Sequence, residues 1–235
     1  MKEGDFLKID FTGTLKVTGD VFETTMADDA KKHNVYDSKR VYGPAFVIIG
    51  GKMAVPGVES ALKDMKVGDE REFDVPSSQA YGPRDPKQIQ IISIAKFYKN
   101  DPPVNPVPGA YMEIDGRQCR IQSVSGGRVR VDFNNPLAGR DLHYRLRVVS
   151  EITDSKEKIE ALMSQYGFSL KVEIAGEKAI IHSGAKINEF IKTIIMGSVK
   201  KWVKEIKDVE ISEPAETKPE AGAGNGAQCQ QKTEN

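Results

Sequence analysis

Cysteine is scarce in this chain. Its 235 residues contain two, Cys119 and Cys229. Their spacing fits neither a disulfide framework nor a metal motif, so a reducing, cytoplasmic setting is expected. Histidine is nearly as rare: His33, His143 and His182 fall in three different elements, with no pair at ligand spacing, and no metal site is expected. Charge of either sign is not in excess. Lys and Arg number 34 and Asp and Glu 34, which argues against a general nucleic-acid binder or a protein drawn to anionic membranes. No apolar run could span a bilayer, since the best, Ile187 to Met196, is short and carries Lys192. The start, Met1-Lys-Glu-Gly-Asp5, has no apolar signal core. Nucleophile elbow, phosphate loop and dinucleotide fingerprint are all missing. Gly50-Gly51 precedes a helix, but Pro56 and the lack of a third glycine make a phosphate cradle a poor reading, and no cofactor is expected.

What the chain does have is alternation. In Phe6 to Leu15, Leu7, Ile9 and Phe11 share one strand face, with Lys8, Asp10 and Thr12 on the other. Thr18-Gly19-Asp20 is a turn signal before a return strand, Val21 to Thr25. Met26 to Tyr42 reads as a long polar loop with a helical turn near Asp28 to Lys32, and Pro44 to Gly50 as a buried strand. Val58, Ala61, Leu62 and Met65 fall at i, i+3, i+4 and i+7, one apolar helix face entered at Pro56-Gly57. A helix this short is marginal alone and must pack on a sheet. Arg71 to Val75 reads as a half-buried strand, as does Leu142 to Ser150 through Leu142, Tyr144, Leu146 and Val148.

Between Gly82 and Asn134 the character changes. Prolines punctuate the stretch, and Gln88 to Phe97, Tyr111 to Ile114, Gln118 to Val124 and Arg128 to Phe133 read as about four strands turned at Asp115-Gly116 and Gly126-Gly127. A third unit begins at Asp154, which with Glu157 resembles a capping box. A helix through Ile159, Leu162, Met163 and Tyr166 ends at Gly167. A hairpin turns at Ala175-Gly176, a longer helix runs from Ala185 to Lys204, and a strand holds Val209 and Ile211. The helix from Ile187 to Trp202 buries into its own sheet or pairs with a second chain, with self-association the favoured reading. The rest is rich in Pro, Glu, Gly and Gln and cannot bury enough to order itself. The expected class is α+β. Its domains are 1–83 with 134–151, a small all-β insert at 84–133, an α+β domain at 152–211 and a disordered tail at 212–235.

The ordered series Phe-Thr-Gly-Thr-Leu, Gly-Asp-Val-Phe-Glu-Thr-Thr, a strand ending in Gly50, Val-Pro-Gly-Val-Glu, Val-Gly-Asp and Ala-Tyr-Gly resembles the FKBP family of peptidyl-prolyl isomerases. The insert, with its return Asn-Pro-Leu-Ala-Gly139, resembles the SlyD-type branch, and the extra α+β domain the long archaeal type. On composition alone the apolar residues concerned are ordinary core. The resemblance implies an antiparallel half-barrel wrapped on the Val58 helix, with a pocket between them. Phe11 stands where tyrosine is common in the family, Glu23 where aspartate is usual, and Val58 where drug-binding members have tryptophan, which argues against tight macrolide binding. The resemblance assigns Phe11, Phe22, Glu23, Val55, Tyr81 and Tyr144 to catalysis, with Phe22 as a wall, Val55 offering its N–H and Tyr81 its hydroxyl. Val47 and Ala54 would line the pocket, Val58 its floor, and Leu137 and Tyr144 the far side.

Under the same resemblance the insert binds unfolded chains, and Ile89, Ile91, Ile94, Tyr98 and Tyr111 are the candidates, whether as a client surface or as the insert's own core. The implied activity is isomerisation of X-Pro bonds in unfolded or partly folded polypeptides, with no nucleic acid or membrane partner and a homodimer through the C-terminal domain. Two other functions compete. One is a non-catalytic FKBP-like binding module, suggested by Phe11 and Glu23. The other is a metallochaperone, which the histidine-free tail disfavours.

Overall fold

A computed structural model of the chain describes residues 1–99, 104–168, 170–184 and 187–213. It divides into two units, Met1–Thr153 and Asp154–Asn235. The tail expected to be disordered lies outside the described residues from Pro214 onward.

The first unit is built on β1 (Phe6–Leu15), the return strand β2 (Val21–Thr24), helix α1 (Ala27–Lys32), β3 (Ala45–Ile48), helix α2 (Pro56–Lys63), β4 (Glu70–Val75) and, far along the chain, β9 (Leu142–Ile152). These five strands form one sheet in the order β2-β1-β9-β4, with β3 also on β1. β2 and β3 share one edge of β1, β2 on Thr12 to Thr14 and β3 on Phe6 to Ile9. β9 covers the other edge along its whole length. The apolar stripe of α2 packs on this sheet: Val58, Leu62 and Met65 are buried with Leu7, Ile9, Val75, Leu142, Leu146 and Val148. The approach is close. A Cβ on Gly57 would stand 2.5 Å from the Val75 side chain, so only glycine lets the helix lie this near β4.

Thr12 departs from its expected outward place. It is buried because its hydroxyl pairs with that of Thr24 at 2.9 Å and with Asp29 at 3.0 Å, and Asp29 accepts from Arg145 at 2.7 Å. A polar group is tolerated inside when its hydrogen bonds are met.

The insert between β4 and β9 holds β5 (Ile89–Ser93), helix α3 (Ile94–Tyr98), β6 (Tyr111–Ile114), β7 (Arg117–Ser125) and β8 (Arg128–Asp132). Its sheet runs β5-β8-β7-β6. The expected strand over Gln88 to Phe97 stops halfway and becomes α3. Ile94 and Phe97 are three residues apart, so a helical turn aims both into the insert core of Ile114, Cys119, Ile121, Val129 and Val131.

A clasp fixes the insert to the barrel. The Asp132 side chain is buried and accepts from Arg84 Nε at 2.9 Å and from Arg84 Nη2, from Gln122 Nε2 at 2.8 Å, and from Asn134 N at 2.9 Å and Nδ2 at 2.7 Å. Asn134 in turn exchanges two bonds with Asp85 backbone. Gly139 N donates to Gly82 O at 2.8 Å, which draws the two connecting segments together.

The second unit comprises α4 (Ser155–Gln165), β10 (Lys171–Ala175), β11 (Lys178–His182), α5 (Glu189–Trp202) and β12 (Asp208–Ser212). β10 and β11 form an antiparallel hairpin and β12 joins β11 in parallel. Asp154 accepts from Glu157 N at 2.9 Å, which starts α4. α5 begins at Glu189, later than the expected Ala185, because Asn188 caps it by accepting from Phe190 N. Ala185 and Lys186 lie outside the described residues. Ser212 and Glu213 belong to this unit rather than to the tail: Ser212 closes β12, and Glu213 accepts from Ile187 N at 2.8 Å and pairs with Lys192. Among the described residues no helix is long and apolar enough to cross a membrane.

The clasp has a pH signature. Burial pushes the Asp132 carboxyl up, but the donors on Asn134 and Arg84 outweigh it and hold the group below its ordinary 3.8. A depressed folded pKa gives stability that is full above the unfolded value and lost as pH falls through the folded one. Asp132→Asn is therefore expected to destabilise the insert by about 1–3 kcal/mol at pH 7. The gap to wild type should close below about pH 4. Hydrogen exchange at the Ile121 and Val129 amides measures it.

Candidate functional site

A cavity of about 430 Å³ opens between the sheet and α2. Ile9 and Phe11 come from β1, Glu23 from β2, and Ala45, Phe46 and Val47 from β3. The turn Lys52 to Val55 and Val58 of α2 form another side, and Tyr81 and Tyr144 complete it. Phe11, Glu23, Val47, Ala54, Val55, Val58, Tyr81 and Tyr144, singled out from the sequence, thus converge on one hollow. Phe22 and Leu137 do not line it. Both are half-buried and pack against the core beside it.

The geometry centres on Tyr144. Its ring is 6.1 Å from Phe11, 5.9 Å edge-on from Phe22, and 6.1 Å from Phe73 in a stacked pair. Phe73 and Tyr144 are direct cross-strand partners. On its other side Tyr144 faces Gly13 of β1. Between Gly13 and Thr14 the β1–β2 register slips, since Gly13 pairs with Glu23 but Thr14 with Val21. Phe22 is the extra residue. This bulge breaks the strict alternation and re-aims its side chain, so the ring lies over bare Gly13 and meets Tyr144. A Cβ on Gly13 would stand 2.5 Å from the Phe22 ring.

The polar side chains lining the hollow are those of Glu23, Lys52, Tyr81 and Tyr144. Glu23 pairs with Arg40 at 2.9 Å. Burial, then the Glu23 charge, pushes the Tyr81 hydroxyl up. Burial does the same more strongly to Tyr144, with Tyr81 and Glu23 adding to it, so both hydroxyls remain proton donors at any physiological pH. Among the described residues neither hydroxyl has a hydrogen-bond partner, nor does the backbone N–H of Val55, the residue before Pro56. These free donors at the wall of an apolar hollow can bind carbonyl oxygens. Among the described residues that line the hollow the one carboxylate, Glu23, is tied to Arg40, and no acid–base–nucleophile set is arranged for covalent chemistry. Among the described residues no group of His, Cys, Asp or Glu is placed to hold a metal. His143 Nδ1 lies 2.8 Å from Asp74 on the sheet's far surface.

Ile9, Ala45, Phe46, Lys52 and Met53 were not singled out from the sequence. Ile9 could have been, since it stands two residues before Phe11 on the same face. Lys52 and Met53 could not: Lys52 sits at φ 55°, in a tight turn that follows Gly50. In the insert, Ile91 and Tyr111 are 70% and 62% exposed and Tyr98 is half exposed, whereas Ile89 is half-buried and Ile94 packs into the insert core.

Residues 1–98 match the family described as FKBP-type peptidyl-prolyl cis-trans isomerase, and residues 90–137 match the IF domain of FKBP26. The chain is 33% identical over 148 residues to a short-type peptidyl-prolyl cis-trans isomerase of Methanocaldococcus jannaschii, covering 63% of this chain and 92% of that protein. It is 33% identical over 135 residues to the FKBP-type peptidyl-prolyl cis-trans isomerase SlyD of Treponema pallidum, covering 56% of this chain and 76% of that one. A third similar protein is the FKBP-type 16 kDa peptidyl-prolyl cis-trans isomerase of Escherichia coli, 31% identical over 108 residues, with 45% and 72% covered.

Gly13→Ala tests the wall built on the bulge. The added methyl must displace the Phe22 ring. Overpacking of this kind costs about 1–3 kcal/mol of stability, measurable by urea denaturation. Any turnover at the hollow should fall at least as far in Gly13→Ala as in Phe22→Ala, measured at a temperature where both remain folded.

Proposed function

The chain belongs to the FKBP-type peptidyl-prolyl cis-trans isomerases, and we propose that it turns X-Pro bonds in folding polypeptides within the Tyr144 hollow while its insert holds unfolded chains. It is an isomerase, and its substrates are proline-containing polypeptides. The observation that carries the site assignment is the apolar hollow with unbonded donors on Val55 and Tyr81.

The chemistry asks for little else. Rotation about a peptide bond costs about 18–20 kcal/mol because it breaks amide resonance. Uncatalysed X-Pro exchange takes roughly tens to hundreds of seconds. A twisted amide is less polar than a planar one, so transfer into an apolar hollow favours it over the ground state. The rings of Phe11 and Tyr144 hold the proline, with Phe22 backing Tyr144. The Val55 N–H and Tyr81 hydroxyl hold the flanking carbonyls so that only the central bond turns. Val47, Ala54 and Val58 exclude water beneath it, and Glu23, tied to Arg40, closes the side next to Phe11. Each tenfold acceleration requires about 1.4 kcal/mol of preference for the twisted state.

The insert supplies the second site. Ile91, Tyr98, Val107 and Tyr111 are exposed apolar residues of the insert, Ile89 is half-buried beside Ile91, and among the described residues β5 and β6 are the edges of its sheet, on which an extended chain can pair. A chain held there presents its prolines to the hollow at raised local concentration. The cytoplasm fits both the clients and the buried, free Cys119. Nucleic acid and membrane have no role in this reading. In the second unit, exposed Phe190 and Ile194 of α5 are the surface through which two copies pair.

Proline-limited refolding of an unfolded protein tests both sites. The intact chain should accelerate it at micromolar concentration. Because Gly82 and Gly139 are bonded to each other, a short linker can replace the insert. That variant should keep its turnover of short peptides and lose much of its effect on the unfolded protein. No acceleration by the intact chain refutes the isomerase site, and equal action on both substrates after deletion refutes the second one. Light scattering should give a dimer mass that falls to the monomer in Phe190→Ser.

A further inference from the structure

The insert's sheet has two faces of opposite character. One holds the core of Cys119, Ile121, Val129 and Val131. The register sets the other. Ile89, Asp132, Arg120 and Tyr111 stand in one row across the strands, Ile91, Arg130 and Ser123 in the next, and Ser93, Arg128 and Ser125 in the last. The barrel end of this face is closed by the Arg84 guanidinium on Asp132. Beyond it the face is open, and its arginines are exposed.

Those arginines have no carboxylate partner. Among the described residues Arg120, Arg128 and Arg130 take part in no ion pair, and Asp132, which faces Arg120 in register, is taken by Arg84, Gln122 and Asn134. Arg120 lies instead over the Tyr111 ring at 5.9 Å. Among the described strand residues the other carboxylate on the face is Glu113, on the edge strand opposite Gln118. The strongly exposed apolar groups Ile91 and Tyr111 flank the guanidinium groups on either side. Lys and Arg outnumber Asp and Glu within the insert, although the whole chain is balanced.

From this we infer that the insert selects its clients by charge: the face takes extended, unfolded segments in which acidic residues are interspersed with apolar ones. The inference rests on the reading of the insert as a site for unfolded chains and adds the class of segment it prefers. Carboxylates meet Arg120, Arg128 and Arg130, and the apolar side chains between them meet Ile91 and Tyr111. Arginine suits the role because its planar fork bonds a carboxylate bidentately. Single-stranded nucleic acid is the less suited occupant, because stacking bases need open aromatic faces and Arg120 takes one face of the Tyr111 ring.

The test uses the full chain and two labelled, unfolded peptides of equal length, alternating Glu with Leu in one and Lys with Leu in the other, read by fluorescence anisotropy. Three exposed ion pairs predict about tenfold tighter binding of the acidic peptide at low salt. At 1 M NaCl, where screening acts over about 3 Å, the difference should vanish. The Arg128→Glu/Arg130→Glu double variant should reverse the preference, and Arg128→Gln/Arg130→Gln, which leaves Arg120 alone, should cut it to about twofold. Turnover of a short proline peptide in the hollow should be unchanged in both. Equal binding of the two peptides overturns the charge selection and leaves the insert as a client site. Binding of neither overturns both. Displacement of the acidic peptide by oligouridylate at lower concentration than by unlabelled peptide overturns the inference in favour of nucleic acid.

Discussion

The hollow depends on one slip of register. β2 carries one residue more than β1 can pair, and that residue is Phe22. A regular strand presents alternate residues to one side. The bulge instead lets Glu23 line the hollow while Phe22 reaches across Gly13 to the edge of Tyr144. Tyr144 is thereby fixed from three sides, and β9, which carries it, is the strand shared by β1 and β4. An isomerase of this kind has no strong chemical step to fall back on. On the proposed reading its rate rests on the shape of the hollow's surface, so rigidity is the catalytic resource.

The α2 helix sets the opposite wall by the same physics. Val58 and Leu62 bury into the sheet, and Gly57 gives up a side chain so that the helix can approach Val75. Its first turn leaves the Val55 N–H without an internal partner, as helix starts do. A packing requirement at the back of the helix therefore fixes the height of a free donor at its front.

Much of this was legible in the sequence. Alternation placed β1, β4 and β9, and the i, i+3, i+4 pattern placed α2, because each buries a single face. The hollow's residues followed from motif order, and Val47, Ala54, Val55, Val58 and Tyr81 do converge. What stayed hidden has a common cause. Phe22 was expected in the wall and stands behind it, because alternation assumes an unbroken register. Ile94 was expected among the candidate client contacts and turns into the core, because a short apolar run does not declare whether it is strand or helix. Thr12 was expected outside and is buried, because a hydroxyl's partners, here Thr24 and Asp29, come from elsewhere in the chain.

The bond between Gly82 and Gly139 also bears on how the barrel is completed. Ser77 and Asp141, which are joined by a hydrogen bond, stand 64 positions apart, and the pairing of β4 with β9 must close that span. The clasp is the shorter circuit, with Arg84 and Asp132 separated by 48 positions and the insert's own hairpins lying inside it. Once those hairpins and the clasp have formed, the remaining slack is only the few residues on either side. Closure entropy grows with the logarithm of free length, so the barrier to the final pairing falls by about 1–2 kcal/mol. An insert that folds before β9 pairs would thus be the stitch that brings the last strand of the barrel home.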